Sequence, residues 1–422
     1  MKGQLGRKIG EYFIEKIKHC KESLTLRVAG HEKAFTRKRK LSAEQIVSMV
    51  LEPAKQSLQT RLYEFGVKFM DGVYATKQAF SKQRQFVNPD YIREYYDEGV
   101  EEIIANGELE TFKGMHLAAV DGTRIACENT PELIASFGCS GPKKDACTAL
   151  ASTVYDVMER VSYDCRIGSY LLSERELLDM HLDRLATFEK EKFVIIGDRG
   201  YPSFDLMETL VNRGFSYVLR LTESWSYYIS RMRTEYDKNF DYVYKGKTYP
   251  FRVLKIDLED KTEYLATDLD STTLSLDEAK HIYSLRWNVE TFYGLVKTEL
   301  ELENFSGKTK NAVLQEFYAT MAIANMCMCF INDADAAIAA EQENTNRIYA
   351  HQANRRQCVG HIANKFMECI LTNSPRKRDR LWKEVMQYCE SFSEPIRPGR
   401  NPTRKLPRDK KFYANARKPG LS

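Results

Sequence analysis

The 422-residue sequence has ten cysteines but no Cys-x-x-Cys pair, only seven scattered histidines, and three tryptophans. Without paired cysteines the common zinc frameworks are excluded, and scattered histidines exclude a histidine-rich metal centre. Cys327 and Cys329 flank Met328 in the apolar run MAIANMCMCF, which reads as a buried helix. Free thiols in a reducing cytosol are therefore expected. The N-terminal MKGQLGRKIG has no apolar core of a secretory signal, and no apolar run of about 18 residues stands out. A cytoplasmic protein with no membrane partner is expected. Internal repeats, low-complexity blocks and a strong excess of one charge are also missing: 63 Lys+Arg face 59 Asp+Glu, a formal +4.

The distribution of charge says more than its sum. From Pro395 to Ser422 there are nine cations (Arg397, Arg400, Arg404, Lys405, Arg408, Lys410, Lys411, Arg417, Lys418) and one acid, Asp409. Two further clusters are Arg37–Lys38–Arg39–Lys40 and Arg376–Lys377–Arg378. Any one of these reads equally well as a solvated surface. Together they suit a polyanion touched at several points.

Five segments follow from the periodicities. Residues 1–110 read as helical, with a capping box at Ser42 and Gln45 and helices near 54–65 and 75–86. The second of these, capped by Thr76, should expose Lys77, Gln78, Ser81, Lys82, Arg84 and Gln85, a set suited to base edges and phosphates in a helix-turn-helix. Residues 111–222 alternate strands with helices, the form of an α/β core. Residues 223–265 are tyrosine-rich short strands, read as a β-rich insertion. Residues 266–345 resume the core with helices, including a long apolar one. Residues 346–422 are polar and helical before the basic tail.

The stretch HIYSLRWNVETFYGLVKTEL, His281 to Leu300, reads as a single helix. Ile282, Leu285, Val289, Phe292 and Val296 form its buried face. Tyr283, Arg286, Glu290 and Lys297 fall within about 60° of one another on another face. Two acids share a local pattern elsewhere: Asp121 follows LAAV and precedes Gly122, and Asp198 follows VIIG and precedes Arg199-Gly200. Acids at the ends of parallel strands face one rim of a sheet, where α/β proteins bind ligands. Three carboxylates at about 5 Å repel by roughly 3 kcal/mol per pair at an effective dielectric near 20. A counterion is needed, and hard oxygen donors point to Mg²⁺ or Mn²⁺, as two ions.

The pattern Y-x2-R-x3-E-x6-K, as Tyr283, Arg286, Glu290 and Lys297, with VDGT at Asp121 and GDRGY at Asp198 in that order, resembles the DDE transposases of bacterial insertion sequences. The resemblance is clear over about residues 115–310. It implies an RNase H-like catalytic core with a β-rich insertion, between a helical DNA-binding region and a helical, basic C-terminal region. It implies that Asp121, Asp198 and Glu290 are the catalytic, metal-binding triad for two Mg²⁺ ions, with Mn²⁺ as substitute. Tyr283, Arg286 and Lys297 would bind DNA beside the scissile phosphate; Arg199 is a further candidate DNA contact, and so, from the polar helix at 75–86 and not from the resemblance, are Lys77, Lys82 and Arg84. Trp225 is a candidate for stacking on a flipped base. The implied reaction is cleavage at transposon ends and transfer of the 3′-OH strands into target DNA, on terminal inverted repeats, by a homodimer at the nucleoid. A stand-alone RNase H-like nuclease and an inactive, transposase-derived DNA-binding protein are the alternatives.

Overall fold

A computed structural model of the chain describes residues 4–37, 39–53, 56–142, 145–258, 261–342 and 348–397. Lys38, Lys55 and the tail cations from Arg400 onward lie outside the described residues.

The N-terminal part holds helices α1 (Leu5–Lys18), α2 (Ala43–Leu51), α3 (Leu58–Phe69), α4 (Lys77–Arg84) and α5 (Pro89–Asn106). Next come β1 (His116–Ala126), α6 (Pro131–Phe137), β2 (Cys139–Ser140), β3 (Ala146–Asp156) and β4 (Ser162–Ser169). Then follow α7 (Glu174–Leu185), β5 (Phe193–Gly197), α8 (Phe204–Asn212), β6 (Ser216–Arg220) and the short α9 (Ser226–Ile229). Strands β7 (Asp237–Tyr244), β8 (Lys247–Asp257) and β9 (Thr262–Thr267) lead to α10 (Leu276–Leu285), α11 (Trp287–Thr298) and α12 (Lys310–Gln342). The chain closes with β10 (His351–Ala353), α13 (Arg355–Leu371), α14 (Pro375–Ser391) and β11 (Ser393–Pro395). The fold is mixed α/β, with a large sheet and many helices.

Two units divide the chain. The first holds residues 1–108, 124–149 and 295–422; the second holds 109–123 and 150–294. In the first unit α12 is the central helix, packed by α1, α2, α5, α13 and α14. Lys310–Gln342 is long and apolar enough to cross a membrane, contrary to the expectation that no stretch is, but 83% of its most apolar window is buried in the protein. It is a core helix here. Helix α1 lies tightly on it: a Cβ on Gly6 would fall 2.6 Å from the backbone nitrogen of Phe330. Gln4 gives α1 no side-chain cap, and the Gly6 N–H donates to Asp333 on α12 at 2.9 Å instead. That bond satisfies one of the orphan donors of the helix start.

In the second unit the strands run in the order β4, β3, β1, β5, β6, β9, β8, β7. β1, β5 and β6 are parallel, and β9, β8 and β7 continue antiparallel from β6. The tyrosine-rich segment therefore extends the sheet rather than forming a separate one, and it begins with helical turns at 223–229. Capping boxes at Ser42–Gln45, Ser173–Glu176 and Ser275–Glu278 start α2, α7 and α10, as the sequence spacing predicts. Two helix expectations are corrected. α3 begins at Leu58, capped by Ser57, and runs past Gly66 to Phe69. The helix over His281–Leu300 is two helices that meet at Arg286, where bonding tightens to Arg286 N–H to Tyr283 O at 3.2 Å and Val289 N–H to Arg286 O at 3.1 Å.

Arg84, expected on the exposed side of α4, is buried at 5% exposure. Its guanidinium donates to Gln315 Oε1 (2.6 Å), Glu316 Oε1 (2.6 Å), Ser306 Oγ (3.0 Å) and Ala312 O (2.8 Å). Those donors are spent inside the first unit, so Arg84 is a structural anchor of α4 and not a DNA contact. Lys77 and Lys82 on the same helix are exposed. Burial pushes the Glu316 carboxyl up, but the Arg84 charge and the Ser306 donors outweigh it and hold the group below its ordinary value. Glu316 thus contributes stability above the ordinary carboxylate range that is lost as pH falls through its depressed folded value. Arg84→Gln should cost about 3–5 kcal/mol at neutral pH by stranding a buried carboxylate. The loss should shrink below pH 4; urea denaturation at the two pH values measures it.

Candidate active site

β1 and β5 are parallel neighbours with His116 opposite Phe193 and Ala119 opposite Ile196. Asp121 and Asp198 keep that same offset of 77 residues (193 − 116 and 198 − 121). The pairing runs as far as Ala119 opposite Ile196; Asp121 stands two residues further along β1, and Asp198 two residues past Ile196, just beyond the end of β5. Asp198 directly follows β5, whereas Asp121 lies within β1, which continues to Ala126 instead of ending at the acid. The Gly200 N–H donates to Asp198 Oδ1 at 2.8 Å, a turn that leaves Arg199 exposed.

Glu290 sits in the first turn of α11. Three residues on, Tyr293 Oη donates to the Asp121 carbonyl at 3.1 Å, and Asn288 Nδ2 donates to Val157 O at 3.1 Å. The first bond fastens the Glu290 turn to the strand that carries Asp121, and the second to the residue that follows β3. Ser152 Oγ also reaches the Asp121 carbonyl, at 3.3 Å. Behind Ser152 stands His181 at 2.9 Å, and behind His181 stands Asp164 at 2.8 Å, all three at 0% exposure. A Ser-His-Asp series of this kind can activate a nucleophile. Sealed from solvent, it serves here to hold backbone.

Arg286 Nη2 meets Glu290 Oε1 at 2.8 Å. Burial pushes the Asp121 carboxyl up; Arg286 pulls it down, and Glu174, Glu290 and Asp198 push it up further, to about 7. Three acids and one arginine thus bear on Asp121. Among the described residues, no three His, Cys, Asp or Glu side chains are gathered as the ligands of one ion. All the acids bearing on Asp121 are nevertheless carboxylates, the donor set that Mg²⁺ and Mn²⁺ prefer. Burial without neutralisation raises Asp121, and a divalent cation would relieve that cost. The donor chemistry fits such an ion.

Other expected site residues are placed differently. Tyr283 is buried at 9% exposure, not presented on an open face; the tightened turn at Arg286 breaks the straight-helix alignment that put it there. Its hydroxyl has no hydrogen-bond partner among the described residues, and burial raises its pKa to about 12. Lys297, at the end of α11, donates to Arg124 O at 2.6 Å and pairs with Glu303 at 3.2 Å, all within the first unit. Trp225 is packed edge-on to Phe204 with ring centroids 4.8 Å apart, and against Tyr228 and Phe251. At 9% exposure it is packed into this aromatic cluster and not presented on an open surface. Sequence reasoning missed Tyr293 and Ser152; the third-residue spacing of Tyr293 from Glu290 was the available signal for the first.

The folded Asp121 binds a proton between its ordinary 3.8 and about 7 that the unfolded chain releases. Its contribution to stability is present at low pH and lost as pH rises through 7. Asp121→Asn should therefore raise the Tm of the metal-free protein more at pH 8 than at pH 5, by thermal unfolding at both.

The sequence model of the transposase DDE domain matches residues 113–326, more than half of the 422. No curated protein matches the sequence. A cryo-EM structure of the piggyBac transposase synaptic complex with hairpin DNA is similar in fold, at a TM-score of 0.50 and 9% identity, over 89% of this chain and 84% of that one. With the match spanning Asp121, Asp198 and the Glu290 helix, the chain belongs to the transposase DDE domain family.

Proposed function

We propose that the protein is a cut-and-paste transposase of the insertion-sequence type, with an RNase H-like core in which Asp121, Asp198 and Glu290 hold two Mg²⁺ ions. The observation that carries the reading is the parallel pairing of β1, which holds Asp121, with β5, which Asp198 follows, together with the Glu290 turn tied to the Asp121 carbonyl through Tyr293. Bound divalent cations would neutralise charge at the scissile phosphate and activate the attacking oxygen. The chain's own groups do the remaining work. Arg286, paired with Glu290 and electrostatically coupled to Asp121, is suited to grip a phosphate oxygen beside the cut. Arg199 is exposed next to Asp198 for a flanking phosphate. Lys297, despite its present pairing, is a cation that a phosphate would draw from Glu303.

In the first step a water oxygen bonds to phosphorus as the P–O3′ bond breaks, freeing the transposon 3′-OH. In the second, that 3′ oxygen bonds to a target phosphorus, and the target's own 3′ oxygen leaves. Residues 1–110, with Lys77 and Lys82 exposed on α4, form the proposed end-recognition region. Residues 111–222 and 266–345 are the proposed core, 223–265 its β-rich extension, and 346–422 a further DNA-contacting region. The piggyBac structure is of a synaptic complex with DNA, and for this chain too we take two copies to act on paired ends.

The test is strand cleavage and joining on duplexes that carry the element's terminal inverted repeats, with Mg²⁺. The parent should cut and join, and Asp198→Asn and Glu290→Gln should each lose about 10²–10³-fold or more. Parent-like cleavage by Glu290→Gln would refute the triad. Cleavage without joining would mark a stand-alone nuclease, and end binding without cleavage an inactive DNA-binding protein.

A further inference from the structure

Three cysteines meet where β2, β3 and the residue after β1 run side by side. α6 ends at Gly138, whose φ of 87° turns the chain back and feeds Cys139 into β2. β2 pairs antiparallel with β3, and Cys139 stands directly opposite Cys147. On the other side of β3, the Cys127 N–H donates to the Cys147 carbonyl at 3.0 Å, and the Cys147 N–H donates to Asn129 Oδ1 at 2.7 Å. Both backbone groups of Cys147 thus face away from β2. Its neighbour Thr148 faces the other way, with its N–H donating to Gly138 O at 3.1 Å. Cys139 and Cys147 are therefore a non-hydrogen-bonded pair with their side chains on one face. In such a pair the Cα atoms approach to about 4.5 Å, inside the range that a disulfide spans.

Solvent access separates the three thiols. Among the described residues all ten cysteines are free; nine are buried, and Cys139 alone is half-buried. Burial pushes the Cys147 thiol up to about 11 and the Cys127 thiol up to about 12, so both keep their protons at neutral pH. Thiolate, not thiol, attacks an oxidant, and a buried thiol is inert toward one in solution. Cys139 is the member of the row that an oxidant meets first.

We infer that Cys139 and Cys147 are a reversible redox pair, in which hydrogen peroxide oxidises Cys139 and Cys147 resolves the product as a cross-strand disulfide. The Cys139 thiolate sulfur bonds to one peroxide oxygen as the O–O bond breaks, giving a sulfenic acid and a hydroxide that takes a proton to become water. The Cys147 sulfur then bonds to the Cys139 sulfur as its S–O bond breaks, and the Cys147 proton leaves with the departing hydroxide as a second water. Two thiols lose two electrons in all, and one peroxide gains them. A thiol directly opposite captures the sulfenic acid before it passes to the irreversible sulfinic and sulfonic acids. The pair requires none of the acids assigned to the cation site.

Peroxide treatment of the full chain, with the remaining thiols then alkylated, tests this by peptide mapping. Trypsin with a glutamyl protease cuts after Glu128, Glu132, Lys143 and Lys144, which puts Cys127, Cys139 and Cys147 on separate peptides. The parent should yield a linked Cys139–Cys147 pair that dithiothreitol separates. Cys147→Ser should lose the link and accumulate sulfinic and sulfonic acid on Cys139, whereas Cys127→Ser should keep the link, with thermal unfolding confirming the fold of each variant. The parent map decides the matter even where a variant does not fold. A Cys127–Cys147 link in the parent, a Cys139 oxidised past sulfenic acid with no link, or a Cys139 left unmodified would each overturn the inference.

Discussion

The second unit is built around the cost of keeping Asp121 among other acids. Like charges on neighbouring parallel strands repel by roughly 3 kcal/mol at about 5 Å and an effective dielectric near 20. Arg286 relieves part of this, but burial and the neighbouring acids outweigh it and push the Asp121 carboxyl upward. The protein holds the arrangement through the backbone. Tyr293 and Ser152 both donate to the Asp121 carbonyl, and His181 and Asp164 brace Ser152 from the sealed side of the sheet. A carbonyl held from two sides cannot drift, so the carboxylate stays where repulsion would otherwise move it. Stored electrostatic cost at a rigid point is how a site is preorganised for a charged ligand.

The first unit answers a different demand. Its central helix is apolar on nearly every side, so every neighbour must bring an apolar face, and polar groups that enter must be matched. Gly6 admits α1 to contact with α12, and Asp333 on α12 completes the helix start that lies against it. Arg84 with Gln315, Glu316 and Ser306 is such a match, a buried charge cluster held by hydrogen bonds from the guanidinium. The cations offered to solvent by α4, Lys77 and Lys82, stand on a helix fixed by that cluster.

Much of this was legible in the residues. Capping boxes, the buried face of α11 and the apolar strands before the two aspartates follow from local spacing, where side chain and backbone decide the outcome within a turn or two. Ile282, Val289, Phe292 and Val296 are buried, as their period requires, whereas Leu285, expected on the same face, is only half-buried at the end of α10. What local spacing cannot carry is the partner of a long polar side chain. Arg84 reads as a surface residue until Glu316, 232 residues away, is brought beside it. The polar stripe from Tyr283 to Lys297 assumed an unbroken helix, and one tightened turn at Arg286 put the tyrosine inside. Glu174 reads as an ordinary first-turn acid; only the sheet reveals that it lies over Gly122. Trp225 reads as a free aromatic until Phe204 and Phe251 close on it.

The central claim is that Asp121, Asp198 and Glu290 share one cation site. Fe²⁺ with peroxide and ascorbate cuts a polypeptide close to wherever the ion is held, and mass spectrometry reads the cut positions. The account predicts cuts clustered near residues 121, 198 and 290, suppressed by excess Mg²⁺ and absent in Asp198→Asn. Cuts confined to other segments, or cuts at these three that Mg²⁺ does not suppress, would contradict it.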